Sequence, residues 1–165
     1  MITQDLPIRP LSAEAFAPFG AVLAATEDGT PLTAAEALLD LSCGTPRFYV
    51  MRLHAKNERT VRRITRHRRV TQVLAAVGGR PWLIAVAPPL DVDAAEARPR
   101  LEDIRAFRVP GDVALLLARG TWHAGPLFDE AEAAFFNLEL ADTNVTDHHS
   151  CHLVERYGTA LRLID

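Results

Sequence analysis

The sequence is poor in cysteine, lysine and long apolar runs, and each shortage narrows the class of protein. Its two cysteines, Cys43 and Cys151, lie far apart without metal-ligand spacing. We expect two free thiols in a reducing compartment, with a disulfide between them as the alternative. The apolar runs are too short to cross a bilayer, and the first ten residues lack the apolar core of a signal peptide. These absences predict a soluble, cytoplasmic protein.

Charge of one sign is also lacking, since 18 basic residues face 21 acidic ones, for a formal net charge of −3. With this charge balance, the chain as a whole lacks the excess of basic residues that is typical of nucleic-acid-binding proteins. Lys56 is the single lysine, and six arginines lie within residues 59–69. We interpret that run as a solvated basic face, with an anionic substrate or the acids of another subunit as alternatives. RNA is disfavoured because no aromatic residues interleave with the arginines.

The spacing of turn residues predicts an all-β fold. A chain of 165 residues with 48% hydrophobic content suits one domain over residues 1–165. We count six to eight short strands separated by glycine and proline turns, and helix only near the N-terminus, where Ser12 is a capping residue. Residues 78–80 predict a tight hairpin turn. This rhythm favours a closed barrel or sandwich over an α/β fold.

The most informative segment is residues 110–128. A turn, an apolar run and a second turn at Gly120 are followed by Trp122 and His123. A small barrel can place a polar group at its mouth in this way. Imidazole serves as acid, base or metal ligand near neutral pH. His123 is therefore the first candidate for chemistry, and a polar niche at a strand end is the alternative.

Other polar residues stand in apolar surroundings. His67 lies near the end of the arginine run. It is either a solvated loop residue or a partner for His123. Gln72 lies in an apolar strand, so it must be hydrogen-bonded as a core group or as a substrate contact. Asn137 and Glu139 share one face of a strand that lines a wet cavity or meets solvent.

A histidine-rich cluster follows at residues 147–149 and at His152. Adjacent side chains of an extended segment point to opposite sides, so His148 and His149 cannot easily share one metal ion. We interpret the cluster as a solvated C-terminal loop.

Several motifs together resemble a known family. The segment ending in residues 120–123 resembles the second motif of cupins, and His67 and Gln72 stand near the place of the first. Over nearly the whole chain the sequence is similar to the ureidoglycolate lyase family, through residues 10–11 with 16–20, Arg66-His67 with Thr71-Gln72, residues 79–83 with 86–88, and residues 120–123 with Pro126-Leu127. It departs at Ala124, where the family carries a second histidine, and at the apolar residues 115–117, where the family carries asparagine and tyrosine.

The resemblance implies a cupin-like β-barrel of the jelly-roll type with short N-terminal helical segments. It implies a carbon–nitrogen lyase of purine (allantoin) breakdown that splits ureidoglycolate into glyoxylate and urea without a metal or other cofactor. The implied roles are proton transfer by His123 and then His67, contacts to the urea and hydroxyl groups by Gln72, Asn137 and Glu139, and a guanidinium from residues 66–69, with Arg66 as the candidate, on the substrate carboxylate.

Two other functions fit a cupin barrel. One is a metal-dependent isomerase or dioxygenase that uses His67 and His123 with Gln72 or Glu139. The other is a barrel that binds a small molecule without turnover. By fold analogy we also expect a homodimer that acts on a small molecule and binds neither nucleic acid nor membrane.

Overall fold

Two β-sheets face each other in the computed structural model, which describes residues 1–55 and 58–165 and so leaves Lys56 outside the described residues. The first sheet contains β1 (Ile2–Pro10), β4 (Thr60–Val61), β5 (Arg63–Arg66), β7 (Trp82–Ala87), β8 (Arg105–Val109), β10 (Trp122–Leu127), β12 (His149–His152) and β13 (Thr159–Ile164), in the spatial order β12-β5-β10-β7-β8-β1-β13-β4. The second contains β2 (Gly20–Leu23), β3 (Pro46–His54), β6 (Gln72–Ala76), β9 (Ala114–Leu117) and β11 (Glu132–Leu140), in the order β2-β9-β6-β11-β3. This is the expected all-β, cupin-like barrel.

The helices of the described residues are short. They are α1 (Ala13–Phe16), α2 (Thr143–Thr146) and α3 (Leu153–Tyr157), with 3-10 turns at Glu36–Leu38 and Leu101–Asp103. The predicted cap is confirmed, since the Ala15 N–H donates to Ser12 Oγ at 3.0 Å. We expected helix only near the N-terminus. That expectation is wrong, because α2 and α3 lie near the C-terminal end of the chain. No helix in the described part of the chain is long and apolar enough to cross a membrane.

The chain passes from one sheet to the other at its glycine turns. Residues 78–80 do not form the predicted hairpin, because β6 lies in the second sheet and β7 in the first. Gly78 and Gly79 have φ values of +89° and +74°, which favour glycine. A Cβ on Gly111 would lie 2.0 Å from the Gly79 carbonyl oxygen, so the two inter-sheet turns stack with room for glycine alone.

The described chain has more strands than the six to eight expected. Those missed include β1, which carries two prolines and pairs in parallel with β13, and β5, which lies inside the arginine run. Prolines in β1 and charged residues in β5 hide these strands from the usual patterns.

The core consists of two apolar clusters on opposite faces of the first sheet. Every residue of β7 is buried, because Trp82, Ile84 and Val86 point between the sheets while the alternating residues pack outside against α3 and β13. The inner cluster includes Phe16, Phe107 and Phe135, which fill part of the barrel. The remaining interior, between β5 and β10 on one side and β3, β6 and β11 on the other, forms a cavity.

Candidate active site

The cavity has a volume of about 760 Å³, within the range of roughly 300–1,000 Å³ typical of small-molecule sites. The two-residue repeat of extended chain decides which side chains line it. Along β5 and its continuation, Arg63, Thr65 and His67 border the cavity. Ile64 belongs to the outer apolar cluster, and Arg66 lies on the same side as Ile64.

The structure brings the two predicted histidines together. The ring centroids of His67 and His123 lie 5.1 Å apart, and both side chains are buried. His67 Nδ1 lies 2.7 Å from the Asp147 carbonyl oxygen, and His123 Nδ1 lies 3.2 Å from the Thr121 carbonyl oxygen. A carbonyl oxygen can only accept, so each Nδ1 carries the proton. A ring in this tautomer carries its lone pair on Nε2.

Burial keeps His123 neutral. Burial first, and then the repulsion of positive charge on His67 and His148, lower the pKa of the imidazole from 6.5 to about 3, against the raising effect of the Thr121 carbonyl. Near neutral pH His123 is therefore a proton acceptor and not an imidazolium.

A closed ring of hydrogen bonds lies beside the histidines. Gln72 Nε2 donates to Asn137 Oδ1 at 3.0 Å and to Glu139 Oε2 at 3.2 Å. Asn137 Nδ2 donates to the Tyr49 hydroxyl at 3.0 Å, and that hydroxyl donates to Glu139 Oε1 at 3.1 Å. Both partners of the Gln72 amide nitrogen are acceptors, which fixes the orientation of the amide. Gln72 Oε1 is thereby left buried without a partner among the described residues.

Tyr49 completes this ring, and it was not predicted from the sequence. Burial and the charge of Glu139 raise the pKa of Tyr49, so its hydroxyl keeps its proton and can donate. The available signal was the alternation of β3, which places Tyr49, Met51 and Leu53 on one face.

Arg66, the predicted carboxylate ligand, lies on the other side of the sheet. Its guanidinium donates to the carbonyl oxygens of Leu90, Asp91 and Ala94, and its Nε donates to His149 Nδ1 at 2.9 Å. It is fully buried and packs over the Trp122 ring at 4.7 Å. Arg66 holds the loop after β7 through these hydrogen bonds and does not border the cavity. Because Arg66 is buried, the interpretation of residues 59–69 as a solvated basic face is also wrong for this residue.

Residues 147–149 are not the solvated loop that we expected. Asp147 is buried, and its carboxylate accepts the backbone N–H groups of Arg68 and Arg69. The ring of His148 lies 5.8 Å from that of His67 at the cavity, whereas His149 packs on Trp122 at 5.1 Å. The predicted opposite orientation of His148 and His149 is confirmed.

The cavity rim carries basic side chains. Arg63 and His152 are register partners on neighbouring strands, and both border the cavity. Arg62, also at the rim, pairs with Glu58 at 3.0 Å. Among the described residues Arg63 has no such carboxylate partner, so its charge is available to a ligand.

The side chains do not fit a metal ion. Within residues 1–55 and 58–165, no three His, Cys, Asp or Glu side chains converge closely enough to hold one. Glu139, the carboxylate that the metal-dependent alternative would use, is hydrogen-bonded by Tyr49 and Gln72. Among the described residues, the metal-dependent alternative therefore lacks a donor set.

Comparison with known proteins gives one consistent result. A family model described as ureidoglycolate lyase matches residues 3–157. The chain is 32% identical over 158 residues to the ureidoglycolate lyase of Azotobacter vinelandii, covering 87% of this chain and 90% of the relative. It is 28% identical over 159 residues to that of Brucella abortus biovar 1, covering 86% of each chain, and 30% identical over 141 residues to that of Agrobacterium fabrum, covering 74% and 76%. The chain belongs to the ureidoglycolate lyase family.

Proposed function

We propose that this protein cleaves ureidoglycolate into glyoxylate and urea by proton transfer between substrate and histidine. The observation that carries the proposal is the His67–His123 pair, two buried imidazoles 5.1 Å apart that both have a free Nε2. Ureidoglycolate carries a hydroxyl and a ureido nitrogen on the same carbon. Its cleavage needs a base for the hydroxyl and an acid for the nitrogen, and one imidazole can serve as both.

The steps of the cleavage follow from the position of the proton on Nδ1 of His67 and His123, which leaves Nε2 of each ring to act on the substrate. His123 Nε2 takes the hydroxyl proton, the C–O bond becomes the aldehyde C=O, and the electron pair of the C–N bond leaves with the ureido nitrogen. The His123 imidazolium, made strongly acidic by burial, returns the same proton to that nitrogen and releases urea. While the imidazolium exists, the Nε2 lone pair of an uncharged His67 stabilises it, whereas a charged His67 would repel it. Protons balance, and both histidines end as they began.

The substrate itself strengthens the base. A pKa near 3 makes His123 a weak base in the empty cavity. A bound carboxylate adds a negative charge beside the imidazoles, which raises the pKa of His123 and offsets part of the cost of burial. The base thus becomes more effective when an anionic substrate occupies the cavity.

The hydrogen-bond ring supplies recognition of the ureido group. Gln72 Oε1 is a buried acceptor without a donor, a state that costs about 1–3 kcal/mol. A ureido N–H group of the substrate would supply that donor. Asn137 and Glu139 fix the orientation of the Gln72 amide, and all three residues border the cavity, which supports a place for them in substrate binding.

Arg63 replaces Arg66 in our proposal for the carboxylate. It borders the cavity, lies across from His152 and has no acidic partner among the described residues. A guanidinium can hold a carboxylate through two parallel hydrogen bonds. The hydroxyl-bearing carbon would then lie inward of Arg63, toward the histidines.

The direct test is to follow urea and glyoxylate after mixing the purified protein with ureidoglycolate. We expect both products in equal amounts and well above the spontaneous rate. Binding without product, seen as ligand-induced thermal stabilisation alone, would instead identify the non-catalytic barrel.

Arg63→Gln is expected to raise KM roughly 10- to 100-fold with little change in kcat, because a charge-assisted hydrogen bond contributes about 1.5–3 kcal/mol. Steady-state kinetics measures this. Arg69→Gln is the matched control, since Arg69 is exposed and does not border the cavity. Equal KM values for the two variants would show that Arg63 does not bind the substrate carboxylate.

We also propose that the protein works as a cytoplasmic homodimer. The outer edge of β3 is unpaired within the described chain, and Phe48, Val50 and Phe136 expose an apolar surface beside it. An edge strand can pair antiparallel with its own copy across a two-fold axis. A monomer mass in sedimentation equilibrium would contradict the dimer.

A further inference from the structure

The peptide segment before β12 contacts His67 and the two residues that follow it in the chain. Asp147 makes three contacts there. Its carboxylate accepts the N–H of Arg68 at 2.7 Å and the N–H of Arg69 at 2.8 Å, and its carbonyl oxygen accepts from His67 Nδ1 at 2.7 Å. The two residues after His67 and the His67 ring itself are thus held by one buried aspartate.

We propose that Asp147 is a positioning residue that holds His67 in the tautomer the reaction requires. This inference rests on the proposed role of His67 in stabilising the His123 imidazolium. An acceptor at Nδ1 keeps the proton on that nitrogen and leaves Nε2 free to face the cavity. If the carbonyl moved away, the proton could shift to Nε2, and His67 would present a donor where the imidazolium needs a lone pair.

The side chain of Asp147 controls the tautomer of His67 because its hydrogen bonds fix the position of the Asp147 backbone carbonyl, which accepts from His67 Nδ1. Both carboxylate oxygens are anchored on consecutive backbone N–H groups, and the residue is buried. Without these two bonds, Asp147 and His148 are held next to the chain after β5, among the described residues, only by the His67 ring and by the β12–β5 pairing that begins at His149. Displacement of a catalytic group by about 1 Å can cost on the order of 10²-fold in rate.

The test combines kinetics with a direct reading of the tautomer. In Asp147→Ala we expect kcat to fall about 10- to 100-fold while KM changes less than about 3-fold, because His67 acts in the transition state. Imidazole ¹H–¹⁵N correlation spectra should show the wild-type His67 protonated at Nδ1, and the variant with a substantial fraction protonated at Nε2. Asp147→Asn keeps one acceptor oxygen and should lie between the two, which also provides the measurement if the alanine variant does not fold.

Asp142→Ala is the matched control. Asp142 precedes α2 and bonds Thr146 at 2.9 Å, but it does not contact His67. An unchanged His67 tautomer in the Asp147 variants, with or without lost activity, overturns the proposal, as does an equal loss in Asp142→Ala. Because the tautomer is read without substrate, this result is independent of whether ureidoglycolate is the substrate.

Discussion

His123→Gln is expected to lower kcat for ureidoglycolate cleavage by roughly 10²- to 10⁴-fold, the range in which a positioned acid or base contributes. Glutamine approximates the size of imidazole and can occupy the same buried position on β10, but it cannot take and return a proton. Because the carboxylate and ureido contacts lie elsewhere, KM should change little. Single-turnover measurement of glyoxylate separates this loss in chemistry from any change in product release.

His67→Gln should produce a large loss of the same kind, and the double variant should lose little more than the worse single variant, because the two rings act on one proton. His54→Gln is the control, since that histidine is exposed at the end of β3. Activity within a few-fold of wild type in His123→Gln would show that another group moves the proton, with His67, His148 and His152 as the other imidazoles at the cavity.

Much of this site was predictable because it depends on local patterns. The turn at Gly120 places His123 at the start of β10, and the alternation in β11 places Asn137 and Glu139 on one face. Alternation also separates His148 from His149. The same rule applied to Arg66 and His67 would have placed them on opposite sides, and so would have excluded Arg66 once His67 was chosen for the cavity.

The rest depends on contacts between distant parts of the chain. Tyr49 meets Glu139 across 90 positions, and Asp147 meets His67 across 80. Neither pairing leaves a local signature, because it follows from which strands become neighbours. The prediction of a hairpin at residues 78–80 was wrong for the same reason. Its glycines suit a turn that joins two sheets as well as a turn within a single sheet.

The buried base should also make the fold sensitive to acid. The folded protein holds His123 unprotonated down to a pKa of about 3, whereas the unfolded chain binds that proton near 6.5. Below 6.5 the unfolded state therefore holds more protons, so the free energy of unfolding decreases as pH falls and the loss is complete only near the folded pKa. The slope from His123 alone approaches about 1.4 kcal/mol per pH unit. Urea unfolding at a series of pH values between 6.5 and the acid range measures it.

His123→Gln removes this titration, so its free energy of unfolding should fall less steeply with acid than that of the wild type, and the two curves should converge or cross as pH decreases. Contributions from groups that do not interact with His123, such as His149, whose pKa burial also lowers, are shared by both proteins and cancel in the difference. Parallel curves would mean that His123 takes up its proton in the folded protein as easily as in the unfolded chain. A flatter curve in an inactive variant would instead show that the same burial makes His123 available as a base at neutral pH and costs the fold stability in acid.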